Sequence, residues 1–375
     1  MRVCILFHKF QPENEGISIS IDRLTKNLSN VEFHIISSKK DSSGEDILRT
    51  SIETTKYAKN VFLHRVGFIN TVDSEWYPDS LDNFCFVIEQ LHTKYKFDLI
   101  HSYYLTPNGY IGTLIAKKLG IPSLVGVRGN DLGRNYLDYR RLFLIYWTLQ
   151  HADYLTFLNE DLRTTANIIS PCKNKSKVVM NTAYFPYPER ENKVLHKELI
   201  FGYWGDMKRK KGIIYFLDAI TKIKNMPFAV KLLGDISSEE RNIYEKIIAK
   251  EKLSHKVTFY SSIKHDQVAD WVSQIDVFVF PTINDGCPNV LFEAMYLSKC
   301  IISTNITAVS QVFKEGEAKL VPPRDSNALS NAILYFIKNP EKVTIFGKKA
   351  KKALARCNVK IECEEYNKIY KKLVK

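Results

Sequence analysis

Thirteen short apolar runs recur along the chain, and most stretches between them carry the spacing of amphipathic helices. This alternation constrains the fold more than any other feature, because short apolar strands separated by helices build parallel sheets covered on both faces. The first seven runs are Val3 to Phe7, Glu32 to Ile36, Val61 to Val66, Leu99 to Tyr103, Ser123 to Val127, Tyr154 to Leu158 and Val178 to Met180. Between Tyr184 and Glu198, Pro186, Pro188 and a run of charges break the rhythm, and a linker is expected there. Six more runs follow: Leu199 to Trp204, Val230 to Leu233, Val257 to Tyr260, Val277 to Phe280, Cys300 to Ser303 and Leu320 to Val321. No repeat links the two series. A chain of 375 residues suits two domains. The expectation is an α/β protein of two Rossmann-like parallel-sheet domains facing across a deep cleft, with ligands held beyond the carboxyl ends of the strands.

Composition removes several function classes. With 45% hydrophobic and 25% charged residues, the chain is globular rather than disordered or fibrous. No run approaches the roughly 18 apolar residues of a membrane-spanning helix. Met1 to Phe7 reads as a strand without a small-residue cleavage site, so no secretory leader is expected. Seven scattered cysteines without a CxxC pair favour a reduced, cytoplasmic chain over a disulfide framework or a zinc site. The net charge of +13 is uneven: residues 1–190 hold 23 basic and 20 acidic side chains, the remainder 31 and 21. Such a surface attracts nucleic acid, anionic lipid or a phosphorylated ligand, or is simply well solvated; charge alone does not choose. A dinucleotide oxidoreductase ranks last, since His8-Lys9-Phe10-Gln11-Pro12 follows the first strand in place of GxGxxG.

The richest stretch runs from Asp276 to Met295. A buried strand ends at Pro281, a loop follows, and Pro288 suits a first helical position. The N-terminus of the ensuing helix suits a phosphate. Asp285 in the loop can hold sugar hydroxyls, and Glu293, eight positions on, can accept two hydrogen bonds from the vicinal hydroxyls of a ribose. Taken singly, Asp285 reads equally as a turn residue and Glu293 as a solvated helix position.

The surroundings decide between these readings. Asp285-Gly286-Cys287-Pro288-Asn289-Val290-Leu291-Phe292-Glu293-Ala294-Met295 resembles the E-x7-E segment of retaining glycosyltransferase family 4, a GT-B family also known as glycosyl transferases group 1. Pro12 with Gly16 resembles the family's glycine loop, Asp98-Leu99-Ile100-His101 its D-x-I-H strand, and Arg128-Gly129-Asn130-Asp131 its H-G-x-D turn. Gly205 with Lys211-Gly212 resembles G-R-x-x-x-x-K-G, Gly234-Asp235 a further strand end, and Gly316 with Leu320-Val321-Pro322-Pro323 the stretch before the late helices. The chain departs from the pattern at Glu15, Asp206, Thr307, Ala308 and Gln311. Asp206 stands where the family has a diphosphate-binding arginine, with Lys208 or Arg209 as substitute charge.

The resemblance implies a metal-independent, retaining, hexosyltransferase-like enzyme. It would move a sugar from a nucleotide-diphosphate donor, UDP- or GDP-linked, to a glycan, lipid-linked or other hydroxyl acceptor in cell-surface polysaccharide or glycoconjugate synthesis. No other cofactor and no metal are implied. Asp285, Arg128 and Lys211 would carry catalysis. Gly16, Gly205, Lys211, Asp285, Gly286, Cys287, Pro288, Asn289, Val290, Leu291 and Glu293 would hold the donor, and Asp131 would face the acceptor. Residues 1–190 would form the acceptor-side domain and 196–356 the nucleotide-sugar domain, with 359–375 crossing back onto the first.

Each candidate has a plainer alternative. Lys211 belongs to a run of four cations, Lys208 to Lys211, that reads also as a solvated loop. Gly16 suits a flexible turn, and Arg128 a structural ion pair with Asp131. His101 reads as a core residue, and no pair of histidines has metal-ligand spacing. Between Arg134 and Gln150, Tyr136, Tyr139, Phe143, Tyr146 and Trp147 fall at roughly helical spacing, which predicts a core face, or else an acceptor-groove or membrane-surface helix. The 12 basic and 4 acidic residues from Lys338 to Lys375 predict peripheral association with the inner face of an anionic membrane. The competing function is a basic nucleic-acid-binding protein on Rossmann-like domains, which accounts for the charge but not for the ordered strand ends.

Overall fold

The computed structural model of the chain describes residues 1–7, 10, 16–39, 52–67, 78–133, 135–182 and 195–375. His8, Pro12, Glu15, Arg134 and most of the linker segment lie outside them. The chain divides into two compact units, Met1–Asn181 with Val359–Lys375, and Thr182–Asn358.

The first unit holds an eight-stranded sheet built from β1 (Arg2–Leu6), β2 (Glu32–Lys39), β3 (Ile52–Ala58), β4 (Val61–Gly67), β5 (Leu99–Tyr103), β6 (Ser123–Val127), β7 (Tyr154–Phe157) and β8 (Ser176–Val178). Its order is β3-β4-β2-β1-β5-β6-β7-β8, parallel except for the antiparallel β3–β4 pair. Strand β1 shows why the sheet is buried on both faces. Val3, Ile5 and Phe7 enter a cluster with Tyr366, Ile369 and Tyr370 of the terminal helix Val359–Leu373, while Cys4 and Leu6 enter one with Val87, Ile88, Ile111 and Ile115.

The terminal helix is pinned by polar contacts as well. Glu362 receives Arg23 Nε and Nη2, both at 3.0 Å, and both side chains are buried. His101, fully buried, meets the Tyr370 hydroxyl through Nδ1 at 2.8 Å. Burial, with the Arg128 charge added, pulls the imidazole down to about 3 and keeps it neutral.

Helix Tyr139–His151 differs from expectation. Three of its aromatic residues do not form a core face: Tyr139 is 84% and Phe143 66% exposed, and Tyr146 is exposed too, while Trp147 is half-buried against Tyr110. The core side is taken by Ile145, Thr148 and Leu149, so this helix is apolar on two sides.

The second unit holds a six-stranded parallel sheet: β9 (Ile200–Trp204), β10 (Ala229–Leu233), β11 (Val257–Tyr260), β12 (Val277–Phe280), β13 (Cys300–Thr304) and β14 (Lys319–Val321). The order β11-β10-β9-β12-β13-β14 reverses direction of growth between β9 and β12, which are neighbours. Ligands of open α/β sheets bind at such a switch point, beyond the carboxyl ends of the strands.

Candidate functional site

Three loops meet at the ends of β9, β10 and β12, and glycines without side chains let them meet. Gly205 follows β9 at φ 121°, and a Cβ on Gly234 (φ 142°) would lie 2.0 Å from the Gly205 carbonyl oxygen. A Cβ on Gly212 (φ 71°) would lie 2.0 Å from the Pro281 carbonyl oxygen. The Lys208–Lys211 loop and the loop after β12 are therefore in backbone contact, and Ile283 N–H donates to the Lys210 carbonyl at 2.8 Å. That contact places Lys211 Nζ in an ion pair with Asp285, with both side chains mostly buried, 16% and 14% exposed. The ammonium also lies 5.4 Å above the Phe280 ring.

Helix Asn289–Tyr296 starts directly after Pro288. Pro288 has φ −79° and ψ 109°, an extended conformation, so it caps the helix from outside and does not occupy its first position as expected. Glu293 sits in the second turn, 8% exposed, and its Oε2 accepts from Trp204 Nε1 at 2.8 Å. Trp204 is the last residue of β9, packed 4.0 Å from the Phe278 ring. Gly286, Cys287, Asn289 and Val290 are half-buried around the helix start. Leu291 is a correction. Its side chain is fully buried and its N–H donates to the Pro288 carbonyl at 3.1 Å, so it belongs to the core and offers a ligand nothing polar.

Asp206 lies at the surface, half-exposed, where Lys208 Nζ pairs with its carboxylate at 2.6 Å. Thr307 and Ala308 open the short helix Thr307–Ser310 after β13, with Ala308 buried. Among the described residues no three His, Cys, Asp or Glu side chains gather as a metal site.

Gly16, Arg128 and Asp131 belong to the first unit. Gly16 is exposed and begins helix Gly16–Asn27. Arg128 is 5% exposed; Nη1 donates to Asn181 Oδ1 at 2.8 Å and the guanidinium lies 4.7 Å above the Tyr103 ring. The anticipated ion pair with Asp131 is replaced by a backbone contact. Asp131 is fully buried, with Oδ2 accepting from Arg128 N–H at 2.8 Å and Oδ1 from Leu105 N–H at 2.9 Å. A carboxylate so enclosed braces two loops and does not face an acceptor.

Burial lifts the Asp131 carboxyl to about 7, against the opposing pull of its two N–H donors and Arg128. The folded chain then binds this proton more tightly than the unfolded chain, whose ordinary value is 3.8. The stability it contributes is complete below the unfolded value and is lost as pH rises through about 7. Denaturant unfolding across that window should show the fall in the wild type and a flatter profile in Asp131→Asn. Equal slopes would contradict the assignment.

Trp204 is the site residue that sequence reading missed. A donor-only indole at a strand's carboxyl end, beside a glycine, is a faint signal, and its partner is 89 positions away.

Known proteins share this fold and parts of this sequence. Residues 188–353 match the family Glycosyl transferases group 1. The chain is 26% identical over 351 residues to the uncharacterised glycosyltransferase MJ1178 of Methanocaldococcus jannaschii, spanning 91% of this chain and 90% of that one. It is 24% identical over 200 residues to the capsular polysaccharide biosynthesis glycosyltransferase CapM of Staphylococcus aureus, half of each chain. Among solved structures, Anabaena HepE in complex with UDP and glucose superposes with a TM-score of 0.76 at 14% identity, over all of both chains. These findings favour glycosyl transfer over nucleic-acid binding: the fold is that of GT-B glycosyltransferase structures, and residues 188–353 match the Glycosyl transferases group 1 family.

Proposed function

We propose that the chain transfers a sugar, with retention at the anomeric carbon and without a metal ion, from a UDP- or GDP-linked donor to a hydroxyl of a glycan or lipid-linked acceptor in cell-surface polysaccharide or glycoconjugate synthesis. The observation that carries this reading is the convergence of the Lys211–Asp285 pair and the Trp204–Glu293 hydrogen bond beside one helix N-terminus at the sheet's switch point. The likeness to CapM supports the pathway, and the UDP and glucose in HepE support the donor class.

In this reading, Lys211 and the N–H groups around Gly286 to Val290 receive the diphosphate, and Gly205 lets the backbone come close to it. Glu293 receives the ribose hydroxyls and Asp285 the sugar hydroxyls. Without donor, Lys211 and Asp285 neutralise each other. A diphosphate carries more charge than one carboxylate, so it draws the ammonium away and leaves Asp285 for the sugar. As the glycosidic bond breaks, the ammonium stabilises charge on the departing phosphate, which accepts the acceptor's proton on the same face. Arg128 is enclosed by Asn181 and Tyr103 and takes no step in this reading.

Thermal unfolding against UDP-, GDP- and ADP-sugars tests the donor class, since a ligand at 100 times its dissociation constant adds about 2.7 kcal/mol. Product analysis by NMR with EDTA present tests retention and metal independence. An inverted product or loss of turnover on chelation contradicts the reading.

Trp204 enters as a positioning residue for Glu293. Trp204→Phe keeps the packing and removes one hydrogen bond to a charged acceptor, about 1.5–3 kcal/mol. Nucleoside diphosphate binding should weaken roughly tenfold or more. In a double-mutant cycle with Glu293→Gln the two losses should not add. Full additivity would separate Trp204 from the ribose contact.

A further inference from the structure

The outer face of helix Tyr139–His151 is unlike any other surface among the described residues. Ten large apolar side chains are exposed among the described residues, and five of them, Leu137, Tyr139, Leu142, Phe143 and Tyr146, fall between positions 137 and 146. The other five, Phe86, Ile168, Ile243, Ile345 and Ile361, are dispersed along the chain. At 3.6 residues per turn, Tyr139, Phe143, Tyr146 and Gln150 form one line down the helix, with Leu142 on one flank and Arg140 on the other. The opposite side, Ile145 and Leu149, is packed in a core cluster with Val125, Leu155 and Phe157. The helix is thus fixed to its sheet and turns an aromatic stripe outward. An apolar patch of this kind marks an interaction site.

Charge and composition select the occupant. The helix contains Arg140, Arg141 and His151 and no acidic residue at all. The capping Asp138 is shared by Arg140 at 2.9 Å and Arg141 at 3.4 Å, two cations to one carboxylate at the start of the stripe. Tyrosines and a phenylalanine flanked by arginine suit the boundary between lipid headgroups and acyl chains, where rings are buried and hydroxyls stay wet. No helix among the described residues is long and apolar enough to cross a membrane, so association would be lateral. The terminal helix Val359–Leu373, expected to supply membrane affinity, has its apolar face of Cys363, Tyr366, Ile369 and Tyr370 buried in the first unit, and Ile361 is its one exposed large apolar side chain.

We propose that the stripe Leu137–Tyr139–Phe143–Tyr146, rimmed by Arg140, docks this chain onto an anionic lipid surface. The inference does not depend on the sugar-transfer reading. It is tested with the full chain by flotation with phosphatidylcholine vesicles, with and without phosphatidylglycerol, at low salt. The wild type should bind the anionic vesicles, and Tyr139→Ser with Phe143→Ser should lower its partition coefficient at least about tenfold. Both side chains are exposed, so the thermal midpoint should stay unchanged. Should the double variant unfold, Phe143→Trp decides: quenching of its emission by brominated acyl chains supports the proposal, and its absence overturns it. Failure of the wild type to bind, or equal binding by the folded double variant, also overturns it. So does a concentration-dependent dimer that the same substitutions abolish without any vesicle binding, since the stripe would then serve a second copy.

Discussion

Lys211→Met is expected to lower nucleotide-sugar turnover about 10²–10³-fold, the loss seen when one preorganised donor to a developing negative charge is removed. The substitution keeps an apolar stem and deletes the ammonium that lies above the Phe280 ring. It also strands Asp285, whose side chain is 14% exposed, without its cation. Binding of the bare nucleoside diphosphate should weaken by roughly 10- to 100-fold, since hydrogen bonds to charged groups are worth about 1.5–3 kcal/mol. Initial rates with excess donor and calorimetry of the diphosphate read the two effects. Turnover within a factor of about three of the wild type would remove Lys211 from the diphosphate site.

The second large effect is on stability. Glu362→Ala should destabilise the first unit by about 3–5 kcal/mol, because it leaves the Arg23 guanidinium buried and uncompensated. Both side chains are only 2–3% exposed, so solvent does not screen the pair. That loss is a large share of the roughly 5–15 kcal/mol that holds a typical protein folded. Replacing both partners with methionine should cost much less than the single substitution, since two apolar groups leave no charge behind. Urea unfolding of the three variants measures this. A loss below about 1 kcal/mol for Glu362→Ala would show that water reaches the pair.

Much of this architecture is legible in the sequence because buried parallel strands are continuous apolar runs, and thirteen of them stand out. Strand β3 escapes for the same reason. Ile52–Ala58 is mostly polar, four of its seven residues are exposed, and it joins the sheet as an antiparallel edge through backbone pairing with β4. Helix Tyr139–His151 misleads because periodicity counts apolar residues without saying which face meets the core. Two apolar faces share this helix, and only the packing of Ile145 and Leu149 tells them apart.

The candidate site divides along similar lines. Asp285 and Glu293 are readable through their eight-residue spacing and Lys211 through its place before Gly212. Their mutual contacts are not, since Lys211–Asp285 spans 74 positions and Trp204–Glu293 spans 89. Asp131, which the resemblance alone turned toward an acceptor, has its two oxygens taken by backbone N–H groups inside the unit.

The division of labour between Glu293 and Asp285 is tested most directly by calorimetric titration of UDP or GDP, and of the corresponding nucleotide sugar, into the wild type, Glu293→Gln and Asp285→Asn. Glu293→Gln should weaken the diphosphate and its sugar conjugate alike, by roughly 10- to 100-fold, because both carry the ribose. Asp285→Asn should bind the bare diphosphate at least as well as the wild type, since it releases Lys211, while losing affinity for the sugar conjugate and nearly all turnover. Weakened diphosphate binding in Asp285→Asn with unchanged binding in Glu293→Gln would reverse the two roles, and no effect in either folded variant would place the donor elsewhere.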